Sequence, residues 1–115
     1  MRYICLGYPL GAAWDAMSED QRRVLVEESA AYEDQLRRSG NYVDGRPLRA
    51  GRDETATLRF EGGRAFLADA ESGGGGERLG GMIVLEARDL NHAIQLLSEL
   101  PCMRPGGRME IRPIE

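Results

Sequence analysis

The sequence predicts an α+β sandwich of ferredoxin-like type, and three observations carry that prediction. The chain reads β-α-β, then a β-hairpin, then β-α-β. Two amphipathic helices are too few to cover both faces of such a sheet. Two strands, residues 2–8 and 79–86, are apolar on both sides, which is the pattern of strands covered on both faces. The simplest cover for the face that lacks helices is a second copy of the chain, so a homodimer through the sheet faces is expected.

The totals set the frame. At 115 residues the chain is expected to form one domain over residues 1–115, large enough to fold without disulfide or metal staples. Hydrophobic residues at 42% and charged residues at 30% are ordinary for a soluble globular protein. The net charge of −4 argues against a nucleic-acid partner, which calls for a basic face. No apolar run approaches the ~20 residues that span a bilayer, so no membrane partner is expected. The opening stretch, soon broken by Pro9, is not expected to act as a signal peptide. A cytoplasmic location is the expectation. All fifteen basic residues are arginine, which excludes a Schiff-base or P-loop lysine in this chain. One histidine, His92, and scattered carboxylates give no metal-ligand spacing, so no metal and no cofactor are expected. Cys5 and Cys102 are read as buried small apolar residues.

The elements follow in order. Residues 2–8 form the first strand. The connection 9–17 holds the only tryptophan, Trp14, read as a plug over a core edge. Ser18-Glu19-Asp20-Gln21 is a capping box that opens a helix over 19–39, with Arg37-Arg38 at its negative end and Gly40 to close it. Leu25, Ser29, Tyr32 and Leu36 recur at spacings of four, three and four and form the buried stripe. Ser29 is its one polar member, either bonding back to a helical carbonyl or facing a pocket. Residues 42–48 form a strand. Residues 55–60 form another, with Ala56, Leu58 and Phe60 on the inner face. Glu61-Gly62-Gly63-Arg64 is a hairpin turn and 64–69 the return strand. Glycines 73–76 form a mobile link into the strand 79–86. Asp89 caps a second helix whose apolar face is Leu90, Ala93, Ile94, Leu97 and Leu100 before Pro101 stops it, with His92 pointing away into solvent. The last strand is 108–114.

The chain resembles the YCII-related family, in its DGPF-type branch, over nearly its whole length. The resemblance is carried by Arg2-Tyr3-Ile4-Cys5-Leu6, Ala13-Trp14 with Ser18, Tyr32-Glu33-Asp34-Gln35-Leu36-Arg37 with Gly40, and the strand ending at Asp69. It continues through Glu77-Arg78-Leu79-Gly80-Gly81, Asp89-Leu90, Ala93-Ile94, Leu100-Pro101 and Glu110-Ile111-Arg112-Pro113. It implies a dimeric α+β barrel of ferredoxin-like subunits. It also exposes departures. The branch's Asp-Gly-Pro-Phe reads here Asp69-Ala70-Glu71-Ser72, a histidine common on the family's first helix falls at Ser29, and an aspartate after the second helix falls at Leu100. The His–Asp dyad of relatives is therefore absent from both matching positions.

Two functions follow as expectations. The first is a dimeric small-molecule binder or an accessory or regulatory protein, as the family includes members associated with alternative sigma factors. The alternative is an enzyme of hydrolase or lyase type with a polar cleft near Asp69. Asp69, Tyr8, Ser29 and Glu77 are the candidate ligand-binding residues. Asp69 has a second reading, the end of a strand accepting turn amides.

Overall fold

The computed structural model describes residues 1–48, 55–68 and 79–115. The elements are β1 (Arg2–Pro9), α1 (Gly11–Asp15), α2 (Glu19–Arg38), β2 (Tyr42–Pro47), β3 (Thr57–Glu61), β4 (Arg64–Ala68), β5 (Gly81–Glu86), α3 (Leu90–Ser98) and β6 (Gly107–Pro113), with a 3-10 turn at Pro101–Met103. Asp69, Glu71, Glu77 and the glycine run 73–76 lie outside the described residues.

Four strands form one sheet in the order β2-β5-β1-β6, every neighbouring pair antiparallel. β1 and β2 thus run parallel with β5 between them, and β5 and β6 run parallel with β1 between them. This is the doubly split β-α-β of a ferredoxin-like fold, as the element order predicts. Alternation along β1 buries Tyr3, Cys5 and Gly7 and leaves Ile4, Leu6 and Tyr8 half-buried. On β5 the buried pair is Ile83 and Leu85. These side chains meet Leu36 of α2 and Ala93, Leu97 and Leu100 from α3 and its end in one apolar cluster, so both helices cover the same face. The opposite face carries a half-buried apolar centre of Ile4 opposite Val84 and Leu6 opposite Met82. Charged residues of β2 and β6 flank it.

The helix ends obey their local chemistry. Ser18 Oγ accepts the Gln21 N–H at 3.1 Å and Gln21 Oε1 accepts the Ser18 N–H at 2.8 Å, the reciprocal pair of a capping box. At the other end the Asn41 N–H reaches the Leu36 carbonyl at 2.9 Å and the Gly40 N–H the Arg37 carbonyl at 3.1 Å. Gly40 takes φ +79°, which closes the helix in a Schellman motif. Asp89 Oδ1 accepts the His92 N–H at 2.8 Å and starts α3.

Four sequence expectations need correction. The β3–β4 hairpin forms at the turn expected, with Gly62 and Gly63 at positive φ, but it is a separate two-stranded sheet. Leu58 and Phe60, and Ala56 before the strand, are exposed instead of facing inward. A strand's inner face exists only where something lies against it, and no local pattern supplies that. Trp14 plugs no core edge: it sits in α1, is 38% exposed, and has the Arg22 guanidinium 5.7 Å from its ring centre. Cys102 is exposed while Cys5 is fully buried. His92 is only half-exposed, because its Nδ1 accepts the Arg88 N–H at 3.1 Å across the start of α3.

Candidate functional site

Ser29 is the only buried polar residue among those described, at 8% exposed. The stripe spacing that buries Leu25 and Leu36 turns it inward too. Its Oγ has no hydrogen-bond partner. The back-bond to a helical carbonyl is thus not made, and a buried hydroxyl without a partner costs about 1–3 kcal/mol. Cys102, on the 3-10 turn that packs on α2, is a polar neighbour. The contact falls short of hydrogen-bond geometry at Ser29, and a thiol is a weak partner in any case.

Glu33 follows one helical turn after Ser29 and is half-buried. Burial pushes its carboxyl above the usual range; Arg37 pulls it down and Asp34 pushes it further up. Its charge is felt in two directions. It raises the Cys102 thiol, whose elevation comes first from desolvation of the sulfur and which Ser29 lowers. It also raises the Tyr42 phenol, again after burial, with Arg37 opposing. The Arg37 guanidinium lies 4.4 Å over the Tyr42 ring. Ser29, Glu33 and Arg37 therefore run along one side of α2 at intervals of four residues, with Cys102 and Tyr42 beside them. Tyr32, on the same stripe, donates its hydroxyl to the Leu96 carbonyl and ties α2 to α3.

A shallow groove of about 500 Å³ adjoins this strip. Met17, Val24, Leu25 and Pro105 supply its apolar wall, and Arg104 bonds Glu28 at 2.8 Å across it. Leu25 lies one turn before Ser29 on the same helix. Ser29 itself does not line the groove.

These groups can accept and donate hydrogen bonds to a polar ligand. They are poorly suited to thiolate chemistry. The Cys5 thiol is pushed up to about 11 by burial, and Cys102 is also raised. Both stay protonated at neutral pH.

The candidates read from sequence are only partly assembled. Tyr8 lies on the sheet face away from the helices, opposite Arg108, whose guanidinium is 4.2 Å from its ring centre. Ser29 lies on the helix side. One subunit therefore does not bring Tyr8 and Ser29 together, and Asp69 and Glu77 fall outside the described residues. Glu33 and Cys102 were missed as site residues. Glu33 was visible in sequence as part of the Tyr32–Arg37 stretch and as the residue four after Ser29; Cys102 carried no signal, because its approach to α2 depends on the turn after Pro101. Leu100, the position at which the family resemblance implies an aspartate, is 4% exposed in the apolar cluster. Among the described residues no cluster of three or more His, Cys, Asp or Glu could hold a metal ion. None of their helices is long and apolar enough to cross a membrane.

The family model of the YCII-related domain matches residues 1–115. The chain belongs to the YCII family. Among curated proteins, no sequence matches it. A solved structure that it resembles is the 5-chloro-2-hydroxyhydroquinone dehydrochlorinase of Burkholderia phenoliruptrix AC1100, in complex with 2,5-dihydroxybenzoquinone. The TM-score is 0.56 at 14% identity, over 100% of this chain and 94% of that one. At that identity the likeness speaks for the shared fold of this YCII protein and that enzyme, and for nothing finer.

Proposed function

We propose that this YCII-family protein is a homodimeric small-molecule binder, with an accessory or regulatory role, whose ligand lies in the groove over Leu25 with a polar end at Ser29. The observation that carries the reading is the buried Ser29 hydroxyl left without a partner. Such a group is retained at a cost unless something bonds it. The groove's volume is in the range of small-ligand sites, apolar with a few polar groups. Dimerisation through the sheet is supported by the open face, where Ile4, Leu6, Met82 and Val84 form an apolar centre in strands that carry apolar residues on both sides. The net charge of −4 speaks against nucleic acid, and two unpaired cysteines suit a reducing cytoplasm.

The test is thermal-shift screening with small phenols, quinones and carboxylic acids, including 2,5-dihydroxybenzoquinone, the ligand of the dehydrochlorinase complex. The expected result is a compound that raises the melting temperature of the wild type and not of Ser29→Ala. A hit that stabilises both equally, or no hit from the panel, sinks the site. Sedimentation showing a stable monomer at micromolar concentration sinks the dimer.

A second reading is an enzyme of hydrolase or lyase type. What favours it is Glu33, a half-buried carboxyl raised by burial, one turn after Ser29 on α2. The original location, a polar cleft near Asp69, falls outside the described residues. Turnover of a panel compound that Glu33→Gln abolishes while binding persists would favour this reading over simple binding.

A further inference from the structure

The β3–β4 hairpin carries an apolar face that no other described element covers. Its register opposes Leu58 to Leu67 and Phe60 to Ala65, and opposed residues share a face. Three of the four are large, and they are 55%, 76% and 74% exposed for Leu58, Leu67 and Phe60. The other face bears Arg59, Glu61 and Arg64 with Phe66. One side is thus made for contact and the other mainly for water. A lone two-stranded hairpin is marginal in water and needs a further strand or a packing surface. The chain's own sheet does not supply one, because its four-strand order closes without β3 and β4. The radius of gyration, 16.1 Å, exceeds the ~13 Å of a compact chain of this length.

Interface size points to the occupant. Half the residues of β1, β2, β5 and β6 face away from the helices, roughly a dozen side chains, whereas a standard-size interface uses about 20–30 residues a side. The sheet face alone is too small for a firm dimer. In a two-fold dimer each subunit presents one hairpin, so both apolar faces can be buried by the same symmetry that pairs the sheets.

We infer that the β3–β4 hairpin is a dimerisation arm, laying Leu58, Phe60, Ala65 and Leu67 on the partner subunit beside the paired sheets. This rests on the homodimer reading above. The test is sedimentation across a nanomolar-to-micromolar series for wild type, the double variant Phe60→Ser/Leu67→Ser, and Phe66→Ser on the other face. The substituted side chains lie outside the sheet–helix cluster, so the far-UV circular dichroism of each monomer should match the wild type. Removing two large buried side chains from each subunit should weaken the dimer by about 100-fold or more. Phe66→Ser should leave it unchanged. An unchanged dimer in the double variant, or equal weakening by Phe66→Ser, overturns the arm and leaves the homodimer standing. A wild-type chain that stays monomeric overturns both.

Discussion

β5 and β4 are strands of similar appetite and opposite fate. Both are short and rich in apolar residues, yet Leu85 of β5 is fully buried and Leu67 of β4 is 76% exposed. The difference lies in what stands above them. β5 sits in the middle of a sheet covered by α2 and α3, while β4 has β3 and, among the described residues, no layer over it. Strand hydrophobicity announces a demand for cover; it does not say where the cover comes from.

Leu85→Ala should produce the largest effect, a loss of about 2–5 kcal/mol in urea unfolding, because a fully packed side chain leaves a cavity. Leu67→Ala, measured at a concentration where the chain is monomeric, should change stability by no more than about 0.5 kcal/mol. Comparable losses would break the contrast between the two sheets. Gly45→Ala sharpens it within the covered sheet. A Cβ there would land on the Tyr42 hydroxyl and 3.1 Å from the Met82 carbonyl oxygen. The ring must swing from beneath Arg37, and a loss of about 1–3 kcal/mol is expected. Ser18→Ala should cost about 1 kcal/mol through the lost cap, lowering the melting temperature without altering the dimer constant.

The smallest effect concerns Glu33. Its carboxyl is raised in the folded state, so folding favours the protonated form. That contribution is full below the unfolded carboxylate pKa and is lost as pH rises through the higher folded value. Glu33→Gln should therefore raise the melting temperature modestly at pH 8 and leave it unchanged at acid pH below the ordinary carboxylate range. A variant equally stabilised at both pH values would show that burial of the charge is not the cause.

Much of the fold was legible because its signals are local. The Ser18–Gln21 box, the Gly40 closure, the Gly62-Gly63 turn and the Asp89 cap each depend on residues within a few positions, and each is found where the chemistry requires it. The stripe through Leu25, Ser29 and Leu36 was legible for the same reason, since helical periodicity alone turns those residues to one side. The site was less legible. Ser29 was readable as a polar member of a buried stripe, but not its lack of a partner. Nor was the company it keeps: Cys102 reaches α2 only because a 3-10 turn after Leu100 carries it there. Tyr8 was grouped with Ser29 on sequence, yet one residue of alternation in β1 sends it through to the other face.

By itself, then, the sequence determined the elements, their order, their caps and the family to which the chain belongs, because periodicity and end chemistry are short-range. Tertiary structure decided which strands share a sheet, that β3 and β4 stand apart from it, and that a serine, a thiol and a raised carboxyl line one side of α2. Those outcomes depend on contacts between residues as far apart as Tyr3 and Pro113, paired across β1 and β6, and packing of that range leaves no period in the chain for a reader to find.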